Sequence, residues 1–220
     1  HTGSVAKQFT AFSILLLESQ GELSQNDFIG KYLNDLPEFK NKIKIKNLLH
    51  HTSGLREFEV LYQIAGVTTA DAIWSESMYK MIKNQKELNF IPGDELQYSN
   101  NNYLLLAKIV EKVTGMSFRQ WTSKNIFKPL GMNNTLFFDD VSEILKERAY
   151  PYWNSDGKLV KGILSYSFVG PTSLMTTSDD IAKWLINYSE VKIGSEIIMN
   201  KMISETGILN SGELTSYGYG

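Results

Sequence analysis

The sequence predicts an α+β domain in which helices dominate. Three observations carry that expectation. Long segments repeat their apolar residues at helical spacing, most clearly "NNYLLLAKIVEKVTG". Residues 134–172 instead hold turns and short β-prone pieces such as "TLFF" and "SYSFV". No stretch of the 220 residues reads as a linker, a repeat or a low-complexity tract, so the chain is expected to form a single domain over 1–220.

The elements follow in order. Val5 to about Gln20 reads as the first helix, closed by Gly21 at a C-terminal cap. "IKIKNLLHHTSGL" is a short segment that ends in a turn at Ser53-Gly54. "TTADAIWSESMYKMIKN" reads as one or two helices, with Thr69 as N-cap. Pro92-Gly93 punctuates the connector "IPGDELQYSN". The helix that follows has an apolar face of Tyr103, Leu106, Ile109, Val110 and Val113 and a wet face of Lys108, Glu111 and Lys112. Gly115 ends it, Ser117 caps "FRQWTSKNIF", and Pro129 breaks the pattern. Ser178 is expected to cap "DDIAKWLINY", with two acids in its first turn as the helix dipole favours, and Ser195 to cap "EIIMNKMIS".

Composition removes several function classes. The hydrophobic share is 42% and the formal net charge is -2, with no block of like charge, which gives no footprint for nucleic acid or an anionic lipid surface. The longest dense apolar run, "FSILLL", is far short of the roughly 18 residues of a membrane span. There is no cysteine, which excludes disulfide and thiol chemistry. The only histidines are His1, His50 and His51, too few and wrongly spaced for a zinc hydrolase, and no Gly-x-Ser-x-Gly elbow or phosphate-cradling glycine loop is present.

One local pattern does point to chemistry. Ser4, Lys7, Ala11 and Ile14 form a single helical stripe, and the neighbouring stripes through Val5, Phe9, Phe12 and Leu16 are apolar too. A helix that is apolar almost all round is a core helix, so Lys7 is expected to point inward beside the Ser4 hydroxyl. Burial lowers a lysine pKa by up to ~3–5 units, and the positive end of a helix pushes the same way. A neutral amine next to a serine hydroxyl is a general base next to a nucleophile. The string Ser-x-x-Lys recurs at Ser77–Lys80, Ser155–Lys158 and Ser189–Lys192, where the surroundings read as solvated. The bland reading of Ser4–Lys7 is an N-cap and a snorkelling side chain. A second element, "PGDELQYSNNNY", puts Tyr98 and Asn100 on a connector that enters a helix, with side chains expected to face a cleft; Tyr-x-Asn also occurs at Tyr32–Asn34 and Tyr152–Asn154, so the string alone is weak.

Together these segments resemble the serine β-lactamase and penicillin-binding protein family, in its class C-like branch. "GSVAKQFTA" is similar to the nucleophile motif of that branch, "LLHHTSGL" to its Leu-Leu-x-His-Thr-Ser-Gly-Leu signature, and "QYSNNNY" to its Tyr-x-Asn segment; "IFKPLGMNNT" and "SLMTTSDDIAKW" follow in the right order. The resemblance implies a β-lactamase/transpeptidase-like fold. It implies Ser4 as the acylated nucleophile, Lys7 as its activator, Tyr98 as the companion base and acid, and Asn100 as a hydrogen-bond partner of the substrate amide. His51 would be structural. The implied substrate is a lactam, a cell-wall peptide or an ester, with no metal or organic cofactor, and the implied location is periplasmic or secreted. A relative that binds a penicillin or peptide without turnover, a sensor or pseudoenzyme, is the alternative. The third motif of the family, Lys-Thr-Gly or His-x-Gly on a strand, does not follow before "SYGYG"; "HTG" at 1–3 and "KIG" at 192–194 are wrongly placed. The expectation is therefore a chain truncated at both ends, mostly the helical lobe, with much of the antiparallel sheet missing and an apolar face exposed.

Overall fold

The computed structural model describes residues 1–220 apart from 69, 70 and 164. A 3-10 turn over Gly3–Val5 leads directly into α1 (Ala6–Ser19), whose side chains are buried on nearly every side, as an all-round apolar helix requires. Gly21 follows its C-cap at φ +75, the left-handed conformation expected of it. Three short helices, α2 (Ile45–Leu49), α3 (Phe58–Ile64) and α4 (Ser75–Lys83), precede the second long helix, α5 (Asn100–Thr114), which ends at Gly115 with φ +69. α1 and α5 pack on each other and α2 packs on α5, so the two long helices form the centre of the core.

α5 is more deeply buried than its amphipathic pattern suggests. Leu104, Leu105 and Ala107 are buried along with Tyr103, Leu106, Ile109 and Val110 of the expected apolar face, Val113 is half-buried, and Asn101 and Asn102 near the helix start are buried too. Ser117 accepts a hydrogen bond from the Gln120 N–H and so caps α6 (Phe118–Thr122) as anticipated. The helix then widens into a π-turn over Ser123–Phe127 and continues as α7 (Lys128–Leu130). Pro129 does not break this path, because it occupies the first turn of α7, where a missing N–H costs nothing.

Two further differences have simple causes. Residues 71–74 are not helical: Ile73–Trp74 form a short strand, β1, paired in parallel with β5 (Tyr166–Ser167). Thr69 lies outside the described residues. The α8 helix (Ser178–Ile186) is capped by Thr177, not Ser178. Thr177 has the extended backbone of a cap and its hydroxyl accepts from the Asp180 N–H, whereas Ser178 is already helical. Asp180 is fully buried, accepts from the Asn134 N–H and the Thr135 hydroxyl, and pairs with Lys183, tying α8 to the strand that follows Thr135. That strand is β2 (Leu136–Phe137), antiparallel to β6 (Leu174–Met175). A third pair, β3 (Tyr152–Ser155) with β4 (Lys158–Lys161), is an exposed hairpin turned by Asp156-Gly157, both at positive φ. Helices and three two-stranded pairs thus make up the fold among the described residues.

The last helix, α9 (Glu196–Ser204), packs on α1, and Ser195 accepts from the Ile198 N–H. Ser195→Ala is expected to cost about 1 kcal/mol, which lowers Tm by about 2–4 °C in a domain of this size; thermal unfolding followed by circular dichroism checks it. Leu185, Ile186, Ile197 and Ile203 on α8 and α9 are solvent-exposed. In the core, Phe9, Phe12, Phe127 and Trp184 form an aromatic cluster of tilted and edge-to-face pairs.

Candidate active site

Three remote segments meet at the first turn of α1. Ser4 is exposed on the 3-10 turn and Lys7, one turn on, is 0% exposed. Lys7 Nζ donates to Ser4 Oγ at 3.1 Å, to Asn100 Oδ1 at 2.8 Å and to the Pro171 carbonyl at 2.9 Å. The Tyr98 hydroxyl lies 2.9 Å from Ser4 Oγ. Ser4, Lys7, Tyr98 and Asn100 therefore form one connected set.

Desolvation is the main influence on Lys7. It pulls the amine from its ordinary value of 10.5 down to about 8, against the opposing pull of Glu57 and Glu59. At pH 7 that leaves about a tenth of the lysine neutral, compared with about 0.04% of an unperturbed one. Burial pushes Tyr98 the other way, above the usual phenol range, with the two carboxylates adding to the shift and the Ser4 hydrogen bond opposing it. Lys7 is thus brought towards neutrality while Tyr98 stays a protonated hydroxyl.

The surrounding chain fixes this geometry. Tyr98 is gripped on both flanks by His51: the Gln97 N–H donates to the His51 carbonyl at 2.9 Å, and the Ser99 N–H to His51 Nδ1 at 3.2 Å. The imidazole also lies against the Tyr98 ring, with centroids 4.3 Å apart. Asn102 Nδ2 donates to the same His51 nitrogen and Asn102 Oδ1 accepts from the Ser53 hydroxyl, which locks the "HHTSG" turn to α5. His51 takes a positive φ of 56° and its pKa falls from 6.5 to about 3, chiefly by desolvation and then by the charge of Lys7. On the third segment, Thr10 Oγ1 donates to the Gly170 carbonyl at 2.8 Å. Gly170 has φ +103, and a Cβ there would sit 2.3 Å from the Tyr103 carbonyl, so only glycine lets the Pro171 carbonyl come this close to Lys7.

Sequence reasoning missed two groups. The Pro171 carbonyl is one, and no side-chain motif could announce a backbone acceptor. Glu57 is the other: it accepts the Asn100 backbone N–H at 2.6 Å and Asn100 Nδ2 at 3.0 Å. Both ends of the Asn100 amide are therefore engaged within the protein. The other Ser-x-x-Lys pairs lie apart from this set, and Ser155 and Lys158 flank the exposed hairpin turn.

A helical core that presents a serine beside a buried lysine is the architecture of the β-lactamase/transpeptidase fold. The chain belongs to the beta-lactamase family, whose model matches residues 1–219. It is 28% identical to a penicillin-binding protein of Bacillus subtilis (strain 168) over 99% of its own length and 50% of that protein's. It is 26% identical to a D-aminopeptidase of Brucella anthropi over 99% of its length and 41% of the relative's. Among solved structures, the octameric penicillin-binding protein homologue from Pyrococcus abyssi superposes with a TM-score of 0.82 at 30% identity, covering 99% of this chain and 51% of that one. The chain spans about half the length of the relatives it matches, or less. No helix among the described residues is long and apolar enough to cross a membrane.

Proposed function

We propose that this chain carries the acyl-transfer centre of a serine hydrolase, one that forms a covalent acyl-serine intermediate on a lactam, a D-amino-acid peptide or an ester. The observation that carries this reading is the hydrogen-bond set of Lys7. A neutral amine has two N–H donors and one lone pair. Asn100 Oδ1 and the Pro171 carbonyl accept only, so they take the two N–H groups. The lone pair is then directed at the Ser4 hydroxyl. Lys7 takes the Ser4 proton as Oγ attacks the carbonyl, and the first N–H groups of the helix favour the oxyanion. Tyr98, beside Oγ, hands its proton to the departing nitrogen or oxygen, and the proton that Lys7 took from Ser4 passes to the Tyr98 oxygen, which returns both groups to their starting states. Water then cleaves the acyl-serine ester.

The test is intact mass after incubation with a fluorescent penicillin and, separately, a fluorophosphonate. One adduct per chain is expected, absent from Ser4→Ala. An adduct that survives in Ser4→Ala, or none on the natural full-length protein, overturns the reading. Loss of the penicillin adduct with time identifies a hydrolase, and its persistence a sensor.

A further inference from the structure

The two proton-handling groups of the site are held by separate parts of the chain. Lys7 is fixed by Asn100 Oδ1 and the Pro171 carbonyl, and Asn100 in turn by Glu57. None of these hydrogen bonds involves His51. Tyr98 stands on the connector ahead of α5 and is 40% exposed. Its hydroxyl meets Ser4 Oγ and its ring lies on His51. His51 is fully buried. Its Nδ1 takes hydrogen bonds from the Ser99 N–H and from Asn102 Nδ2, so that nitrogen is the acceptor and the ring proton sits on Nε2. Nε2 has no hydrogen-bond partner among the described residues; the ring meets the rings of Tyr103 and Tyr217 instead, the latter edge-to-face with centroids 4.4 Å apart.

A buried N–H without an acceptor and a left-handed backbone at φ 56° both cost free energy. In return one flat ring supplies two holds on Tyr98. Its edge accepts the N–H of the next residue, and its face carries the Tyr98 ring. An asparagine would give the first alone and a phenylalanine the second alone. We propose that His51 is a positioning residue for proton delivery: it keeps the Tyr98 hydroxyl beside Ser4 Oγ, where the leaving group is protonated. The proposal rests on Ser4 as the nucleophile and Tyr98 as the proton donor. A basic leaving group depends on that proton more than a weakly basic one. Loosening Tyr98 therefore slows the poor leaving group more than the good one. A turn that merely holds the fold together would slow both alike.

The experiment uses the natural full-length protein at pH 7. The first turnover of phenyl acetate and of para-nitrophenyl acetate is followed by release of the phenol, less the background of Ser4→Ala. Fluorophosphonate labelling, whose fluoride departs unprotonated, reports a folded site in each variant. In His51→Ala the phenyl acetate rate is expected to fall about 10²-fold, the cost of displacing a reacting group by about 1 Å, and the para-nitrophenyl acetate rate by at least about tenfold less. His51→Asn keeps an acceptor for the Ser99 N–H and is expected to fall between. In a Tyr98→Phe background the same substitutions are expected to add no leaving-group preference. An equal fall for both esters, or a preference that persists without the Tyr98 hydroxyl, overturns the proposal and leaves the nucleophile reading intact. Loss of fluorophosphonate labelling in both His51 variants overturns it too, because His51 would then serve the fold or Ser4 itself. No labelling of the wild type overturns both readings.

Discussion

Lys7→Ala is expected to slow acylation of Ser4 by roughly 10²–10⁴-fold, the usual worth of a positioned general base. The wild-type rate is expected to climb about tenfold per pH unit at low pH and to level off above about 8, where the amine is mostly neutral. The direction follows from the role: a base works only when unprotonated, and desolvation has moved that point down from the ordinary lysine value. Glu57→Gln removes a charge that favours the ammonium, so it shifts the midpoint to lower pH. Adduct formation timed between pH 6 and pH 10 checks all three statements. A flat profile, or a midpoint at the ordinary lysine value, would show that Lys7 is not the base.

The second large effect is on stability in acid. His51 titrates at its ordinary 6.5 in the unfolded chain and at about 3 in the folded one. Between those values the unfolded state binds the extra proton, so stability falls as pH falls, by up to ~1.4 kcal/mol per unit. By pH 4 the loss amounts to about 3 kcal/mol, and it stops growing only below the folded value. The groups facing His51 do not relieve it: the charge of Lys7 and that of His50 both disfavour the imidazolium. His50, itself lowered by burial, tilts the acid side the same way. Urea midpoints at pH 7, 5 and 4 should therefore drop more steeply in the wild type than in His51→Asn. Asparagine tolerates the left-handed backbone of this position and keeps an acceptor for the Ser99 N–H. Parallel slopes would mean that His51 is already neutral in the unfolded chain or charged in the folded one.

How legible each part was depends on how far apart the interacting residues lie. Ser4 and Lys7 are three residues apart on a helix that announces its own burial, so their contact could be read from spacing alone. Gly21, Gly115, Ser117 and Ser195 were readable for the same reason, since caps are local. Tyr98 and Asn100 carry no periodic signal, and only motif order drew attention to them. Glu57 meets Asn100 across 43 residues and Pro171 meets Lys7 across 164, distances at which a pattern in one segment says nothing about the other. β1 is two residues long and owes its existence to Tyr166–Ser167, so the surrounding sequence read as helix. Thr177 and Ser178 are both hydroxyl residues before the same acids, and only the backbone angle of Thr177 separates them.

The same long separations give the centre a use as a clock. Its contacts close loops of 93, 94 and 164 residues, so the hydrogen-bond set around Ser4 and Lys7 is complete only after the first, middle and last thirds of the chain have come together. A fragment or intermediate that has collapsed around α1 and α5 but not yet seated Gly170-Pro171 lacks one of the two acceptors that orient the amine. Short pulses of a serine-reactive probe during refolding would then count completed molecules rather than compact ones, and the lag behind the recovery of helical signal would time the docking of that final loop.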